Sequence, residues 1–154
     1  MPRHRLDDVG AHLGLGKTYL ACALADRAAR RGRSVLYKRL PKLLFELALA
    51  RADGSYLKAL EKLAKVELRV LDDWGLAVVE GQAASDVMDV VDDRAAVRST
   101  IVASQLSVTK WHHLVADPSI ADALLDRLLH RALRIKSKGA ALRERTPQGT
   151  SELT

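Results

Sequence analysis

A short run of glycines, lysine and threonine, Gly14-Leu15-Gly16-Lys17-Thr18, is the part of the sequence best suited to chemistry. Glycines let backbone N–H groups approach an anion closely, and the N-terminus of a following helix adds a favourable dipole. A lysine at this spacing reaches the β- and γ-phosphates of a nucleotide, and the next hydroxyl holds a magnesium ion. The run therefore predicts a polyphosphate-binding loop in which Lys17 contacts phosphate and Thr18 binds Mg²⁺.

The entry to this loop departs from the full phosphate-binding pattern. That pattern has a glycine five residues before Gly16, but Ala11 stands there and the nearest glycine is Gly10. The strand before the loop should be apolar, whereas Leu6-Asp7-Asp8-Val9 carries two adjacent aspartates, which suit a buried strand poorly. We expect a defective first strand, and a chance Gly-Lys-Thr at a helix start is the alternative interpretation.

Two adjacent aspartates, Asp72 and Asp73, supply the second acidic element that a nucleotide site needs. They follow the apolar pair Val70-Leu71, although Arg69 interrupts the apolar run. In such a segment Asp72 would help to hold Mg²⁺ through water, and Asp73 would polarise the attacking water. Taken alone, Asp-Asp after an apolar pair is more often a turn. Its position downstream of the glycine-rich loop favours a functional pair.

Gln105 follows the apolar run Thr100-Ile101-Val102-Ala103 and Ser104. An amide at the end of a strand can lie beside a γ-phosphate and the attacking water. Simple termination of the strand is the alternative, and the residues by themselves favour it.

Short apolar runs alternate with helical patterns, which predicts an α/β fold with a parallel sheet and flanking helices. In the first helix, the spacing of apolar residues predicts a stripe made of Tyr19, Leu20, Ala23, Leu24 and Ala28. Helices are expected over 16–31, from Pro41, from Ser55, over 83–94 and over 118–130, and strands over 34–37, 68–71, 100–103 and 131–136. One domain is expected over residues 1–139, followed by a polar tail over 140–154.

The amino-acid composition indicates which kinds of partner and which cellular compartment suit the chain. The net charge of +6 favours polyanions such as nucleic acid, and basic residues concentrate within 27–39 and within 131–145. A solvated basic face is the alternative to DNA contact. The single cysteine, Cys22, favours the reducing cytoplasm, and no apolar run is long enough to predict a membrane span.

Taken together, these segments resemble the IstB-like ATP-binding proteins of insertion sequences, which are relatives of the DnaC helicase loaders. The resemblance runs from about residue 14 to residue 145. Its carriers are Gly-Leu-Gly-Lys-Thr-Tyr-Leu-Ala-Cys-Ala-Leu at 14–24, Leu-Asp-Asp-Trp-Gly-Leu at 71–76, Ser-Thr-Ile-Val-Ala-Ser-Gln-Leu at 99–106, and Ala-Asp-Pro-Ser-Ile-Ala-Asp-Ala-Leu-Leu-Asp-Arg-Leu at 116–128. The last of these runs is the most specific to the family.

The resemblance implies a P-loop NTPase of the AAA+ type that binds and hydrolyses ATP with Mg²⁺ and helps a transposase to select target DNA. It also implies a homo-oligomer, contact with the backbone phosphates of double-stranded DNA, and no membrane partner. The implied catalytic residues are Lys17, Asp73, Gln105 at the sensor position and Arg127, an arginine finger for the neighbouring subunit's nucleotide. The implied nucleotide-binding residues are Gly14, Leu15, Gly16, Lys17, Thr18 and Tyr19, and the implied metal-binding residues are Thr18 and Asp72.

Two further functions stay open at the level of the sequence. A helicase loader similar to DnaC would share the site and differ in its partner. The relatives carry a helical domain before the ATPase core, whereas this chain starts almost at the loop, so a truncated and inactive remnant that binds DNA or a partner is the other alternative. For Arg127, an ordinary surface salt bridge is the alternative to the finger.

Overall fold

The computed structural model describes residues 16–92, 98–130 and 132–136. These residues form three strands, five α-helices and one 3₁₀ helix. The strands are β1 (Val35–Arg39), β2 (Leu68–Trp74) and β3 (Ser99–Ser104), the helices are α1 (Lys17–Arg30), α2 (Leu40–Ala52), α3 (Tyr56–Lys65), α4 (Gly81–Asp92) and α5 (Pro118–Leu129), and the 3₁₀ helix covers Val108–Leu114.

The three strands form a parallel sheet in the order β1-β2-β3. Val70 in the central strand β2 pairs with Tyr37 on one side and with Ile101 on the other. Parallel neighbours need crossover connections, and the helices between the strands supply them. The predicted α/β fold with a parallel sheet and flanking helices is therefore confirmed.

The sheet separates two apolar clusters because successive side chains of a strand point to opposite faces. On one face, Val70 and Ala103 pack with Ala21 and Ala25 of α1. On the other face, Leu71 belongs to a larger cluster formed by the remaining helices. Helix α1 is thus the element that covers one face of the sheet near β2.

The predicted apolar stripe of α1 is wrong. Leu20 and Leu24 are 40% and 41% exposed, whereas Ala21 and Ala25 are buried. Small side chains let the helix backbone approach the sheet closely, so the alanines face inward and the larger residues stay outside. The spacing of large apolar residues was therefore a poor guide to the buried face.

The predicted strand over 131–136 is also wrong where the structure describes it. Residues 132–136 form no strand, and Leu133 and Ile135 are 90% and 60% exposed. Their alternation with polar residues matches the period of a strand, but a strand also needs a neighbouring strand to accept its backbone hydrogen bonds. Arg131, the predicted first strand at 6–9 and the predicted tail at 140–154 lie outside the described residues.

The start of α5 follows local capping chemistry, whereas the residues before α2 and α3, Arg39 and Ser55, form no side-chain cap hydrogen bond. The Asp117 carboxylate accepts hydrogen bonds from the backbone N–H groups of Ser119 and Ile120, and Pro118 occupies the first turn of α5. Both features favour a helix start because they satisfy or remove N–H groups that lack a partner within the helix. Across the described residues, no helix combines the length and hydrophobicity needed to cross a bilayer.

Candidate nucleotide-binding site

The first turn of α1 is built to face an anion. Gly16 precedes the helix in the left-handed conformation, with φ 69°, and the helix starts at Lys17. Gly16 has no side chain to cap the N–H groups of this turn, and the turn contains no acidic residue. The N–H groups at the start of a helix and the helix dipole favour a negatively charged ligand here. Gly14 and Leu15, which were predicted to continue this cradle, lie outside the described residues.

Thr18 and Asp72 meet between this first turn and the end of β2. The Thr18 hydroxyl donates to Oδ1 of Asp72 over 3.3 Å, although the two residues are far apart in the sequence. The Asp72 side chain is buried, with 4% of the residue exposed, and its Oδ1 also accepts a hydrogen bond from the backbone N–H of Asp73 at 2.8 Å. The structure thus brings together the two residues that were predicted to hold a metal ion.

Tyr37 of β1 completes the surroundings of Asp72. Its hydroxyl donates to Oδ2 of Asp72 over 2.5 Å. Burial, and then the hydrogen bond to Asp72, raise the pKa of the Tyr37 phenol well above its ordinary value, so the phenol stays a donor at neutral pH. Cys22, one helical turn after Thr18, has a pKa raised by burial and by the nearby charge of Asp72, which keeps its thiol protonated.

Asp73 points elsewhere because the backbone of β2 turns at this residue. Asp73 has φ 57°, and the pairing of β2 with β3 shifts register between Leu71 and Trp74. Aspartate tolerates this left-handed backbone region better than most residues with a side chain. The Asp73 carboxylate forms an ion pair with Arg39 at the end of β1, and that hydrogen bond is the main cause that raises the pKa of Arg39.

Gln105 and Asp73 line the same cleft, which has a volume of about 210 Å³. Gln105 is exposed and follows the end of β3, as predicted. The other lining residues are Trp74, Gly75, Leu76 and Leu106. An amide and a carboxylate that line one cleft can both contact a water molecule, and the roles of Asp73 and Gln105 toward that water stay predictions.

The side chains of Arg127 and Tyr19 form no hydrogen bond or ion pair with the other described residues of the candidate site. Arg127 forms an ion pair with Asp92 of α4 and donates a hydrogen bond to the carbonyl of Ala123 at 3.1 Å. This ion pair joins α5 to α4, whereas the Thr18–Asp72 bond joins α1 to β2. Tyr19 is 64% exposed on the first turn of α1. The salt bridge that was the alternative for Arg127 is therefore present, and the role of Arg127 toward a neighbouring subunit stays a prediction.

Sequence reasoning missed Tyr37 and Arg39 as residues of the site. The register of the parallel strands places Arg39 beside Asp72, with Tyr37 two residues earlier on the same strand. A sequence-based alignment of the two strands would have pointed to both residues. The predicted strand over 34–37 ends two residues before Arg39, and it therefore leaves out the residue that pairs with Asp72.

The side chains of the site fit ATP with Mg²⁺. Mg²⁺ prefers hard oxygen ligands and is bound in proteins through one or two carboxylates together with phosphates and waters. Asp72 and Thr18 offer such oxygens, and the adjacent helix N-terminus suits phosphate. The oxygen ligands and the helix start are thus the two features that a magnesium–triphosphate complex requires.

Residues 9–150 match the family of IstB-like ATP binding proteins. The chain belongs to this family. Since the match spans both the first turn of α1 and the end of β2, the predicted resemblance is confirmed, and the site described above is that of an ATP-binding family.

Proteins named for insertion sequences are similar to this IstB-like chain. Insertion sequence ATP-binding protein y4pL of Sinorhizobium fredii is 50% identical over 130 residues, which cover 84% of this chain and 53% of that protein. The IS21 ATP-binding protein of Pseudomonas aeruginosa is 30% identical over 141 residues, covering 92% of this chain and 53% of the relative. Both names give ATP binding as a provisional assignment, and the chain spans about half the length of these curated relatives.

Solved structures of the replication initiator DnaA share the fold. DnaA from Aquifex aeolicus, bound to AMPPCP, matches with a TM-score of 0.63 and 20% identity over 73% of this chain and 36% of that chain. Domain III of DnaA from Thermotoga maritima matches with a TM-score of 0.61 and 20% identity, over 76% of this chain and 48% of the other. At this identity the likeness shows the fold alone, which is the AAA+ type of P-loop fold.

Proposed function

We propose that this IstB-like chain is an Mg²⁺-dependent ATPase module that helps a transposase to engage target DNA. The observation that carries the proposal is the hydrogen bond between Thr18 and Asp72, which joins the start of α1 to the end of β2. A lysine and a hydroxyl at a helix start, beside an acidic strand end, are what P-loop ATPases use to hold a nucleotide and its metal. The relatives named for ATP binding and for insertion sequences support the same assignment.

In this proposal each side chain has a defined task. Lys17 contacts the β- and γ-phosphates, while Thr18 and Asp72 hold the metal ion. Mg²⁺ held by these residues would neutralise charge on the phosphate oxygens while the γ-phosphoryl group passes to water. Asp73 would take the proton of the attacking water, and Gln105, which lines the same cleft, would orient that water.

Assembly and DNA contact are the second half of the proposal. Arg127 would leave its ion pair with Asp92 and reach the nucleotide of the next subunit in a homo-oligomer. Exposed basic residues are available for the phosphates of double-stranded DNA, and they include Arg27 and Arg31 around the end of α1. One DnaA neighbour was solved with AMPPCP and single-stranded DNA, which supports a fold able to combine both ligands.

Location and domain extent follow from the same proposal. We place the ATPase module within residues 1–139, with a polar tail over 140–154, and in the cytoplasm. The single cysteine suits a reducing compartment such as the cytoplasm.

The decisive experiment measures ATP hydrolysis by the full chain with Mg²⁺, with and without double-stranded DNA. Lys17→Ala should abolish turnover, because the variant loses the cation that contacts the transferred phosphate. The matched control is Lys65→Ala, which removes an exposed lysine at the end of α3 and should leave turnover unchanged. If Lys17→Ala hydrolyses ATP as fast as the wild type, the proposed mechanism is wrong.

Two binding measurements separate the alternatives. Co-purification with a transposase supports the transposition role, and co-purification with a replicative helicase instead would support a helicase loader. Absence of ATP binding by the wild-type chain would favour an inactive remnant that binds only DNA or a partner.

A further inference from the structure

Tyr37 forms a hydrogen bond with the carboxylate of Asp72, the residue that is proposed to hold Mg²⁺ together with Thr18. Its hydroxyl donates to Oδ2 of Asp72 at 2.5 Å, while the Thr18 hydroxyl and the Asp73 backbone N–H donate to Oδ1. A carboxylate has about four lone-pair directions. The three donors therefore leave one lone-pair direction of the Asp72 carboxylate without a hydrogen bond. Both oxygens of the carboxylate accept at least one hydrogen bond.

The position of Tyr37 in the sheet explains how its hydroxyl reaches Asp72. Tyr37 pairs with Val70 on β2, and Asp72 lies two residues further along on the same face. Two residues of a parallel strand span about 6.6 Å, which is close to the length of a tyrosine side chain. The phenol therefore runs along the strands and ends at the carboxylate.

The ring of Tyr37 is held in this direction by packing. It lies against the small cluster of Ala21, Ala25, Val70 and Ala103, between α1 and the sheet. The half-buried ring loses these contacts if it swings away from the helix and the sheet. Packing thus favours the ring direction that brings the hydroxyl to Asp72, whereas an aspartate without such a donor rotates broadly about its terminal torsion.

We propose that Tyr37 is a positioning residue for Mg²⁺: it fixes the rotation of the Asp72 carboxylate, so that one oxygen stays on Thr18 and the remaining direction faces the metal ion. The inference rests on the proposed function of the Thr18–Asp72 site. Tyr37 touches neither phosphate nor metal in this scheme, and it acts through Asp72 alone. Loss of the hydroxyl should therefore weaken the binding of Mg²⁺ to the nucleotide complex, so that more Mg²⁺ is needed. Nucleotide binding without metal should not change.

The test is Tyr37→Phe in the full chain, with Tyr56→Phe as the matched control. The Tyr56 hydroxyl also bonds to carboxylates, those of Asp86 and Asp89, but it does so between α3 and α4. Binding of a fluorescent ATP analogue is titrated with Mg²⁺ and, separately, measured in EDTA. Tyr37→Phe should raise the half-saturating Mg²⁺ concentration about tenfold, as losses of partners behind a metal ligand do. Affinity in EDTA should stay at the wild-type value for both variants.

A double-mutant cycle separates positioning from a general structural effect. If Tyr37 acts through Asp72, the effect of Tyr37→Phe on Mg²⁺ dependence should disappear in an Asp72→Asn background. An effect of equal size in both backgrounds overturns the inference, as does a Tyr37→Phe variant with wild-type Mg²⁺ dependence. Equal weakening in Tyr56→Phe overturns it too, because that result would mark loss of stability. If wild-type binding ignores Mg²⁺, the proposed function fails, and the inference with it.

Discussion

Arg39 at the end of β1 forms an ion pair with Asp73, the second acid of the adjacent pair near the end of β2. The two residues come from neighbouring parallel strands, and Arg39 itself lies in register with Asp72. The guanidinium therefore engages the carboxylate that is proposed to act on water, while Asp72 faces Thr18. The two acids of the pair have separate partners, and each partner can be removed without touching the other.

Removal of the Arg39 guanidinium is expected to raise ATP turnover. In Arg39→Gln the Asp73 carboxylate loses its ion pair with the guanidinium. Its negative charge is then no longer offset by a cation, so it can polarise water more strongly. We expect an increase of about fivefold, which corresponds to roughly 1 kcal/mol for one hydrogen bond. Affinity for ATP should stay unchanged in an equilibrium titration. Arg33→Gln, which breaks an ion pair with Glu67 away from the site, is the control, and a fall in turnover with Arg39→Gln would contradict the prediction.

The two roles considered for Arg127 differ in what they predict for substitution of Arg127 and for substitution of its partner Asp92. If Arg127 only stabilises the chain, Arg127→Ala and Asp92→Asn should have similar, small effects on both stability and turnover. If Arg127 acts on the nucleotide of a neighbouring subunit, Arg127→Ala should reduce turnover by about a thousandfold, whereas Asp92→Asn should retain it. We expect the second result, measured as steady-state ATP hydrolysis.

Mixing two inactive variants tests the same prediction in trans. Subunits with Arg127→Ala keep a complete nucleotide site, and subunits with Asp73→Asn keep the arginine. An arginine that acts across a subunit boundary should restore part of the turnover in the mixture. No recovery at any mixing ratio, with both variants shown to assemble, would rule out the finger.

Gly75 is expected to resist substitution more strongly than a glycine in an open turn. It has φ 90°, and an added Cβ would lie 2.9 Å from Cδ1 of Leu114 and 3.1 Å from Cδ1 of Leu106. Gly54 has a similar φ of 78° but would place its Cβ in open space. Gly75→Ala should therefore lower the free energy of unfolding by about 2–4 kcal/mol and Gly54→Ala by about 1 kcal/mol, measured by urea denaturation. Equal losses would show that the two leucines move aside easily.

Glu67 should make stability depend on pH in the acidic range. Hydrogen bonds from the Arg33 guanidinium and the Ser34 backbone N–H lower the pKa of Glu67 below its ordinary value of 4.5. A carboxyl with a lowered pKa stabilises the folded chain fully above its unfolded pKa, and this contribution is lost as the pH falls through the folded pKa. Glu67→Gln should melt at a lower temperature than the wild type at pH 7, and the difference should vanish once the pH has fallen below the lowered folded-state pKa of Glu67.

The control for this pH dependence is Glu61→Gln. Glu61 lies 4.0 Å from Lys65 on an exposed face of α3, where solvent screens the pair. Its melting temperature should follow that of the wild type across the same range. A Glu67→Gln difference that persists at low pH would indicate lost packing rather than lost charge.

The sequence predicted the order of the elements well because each of them carries a local signal. Pro41 and Pro118 mark helix starts, and the apolar run around Val70 and Leu71 marks the central strand. The meeting of Thr18 and Asp72 could also be foreseen, since a helix start and a neighbouring strand end lie at the same edge of a parallel sheet. Those predictions rest on covalent spacing and on capping chemistry, which are local properties.

Tertiary choices were harder to predict because they depend on what each residue packs against. The sequence cannot reveal that Ala21 and Ala25 turn toward the sheet in place of Leu20 and Leu24, since close approach of two backbones depends on the whole layer. Arg69 is another example: it is 1% exposed, and its guanidinium donates to the Val90 carbonyl, although an arginine in a strand suggests an exposed position.

The left-handed backbone at Asp73 restricts which residues position 73 accepts. Glycine, asparagine and aspartate adopt that conformation with little strain, whereas β-branched residues do not. A saturation library sorted only for folded protein should therefore retain those three residues, and sorting for hydrolysis should then leave aspartate alone. Glutamate keeps the charge but moves it further along a longer side chain. Backbone shape and acid chemistry together narrow the choice at this position to a single amino acid.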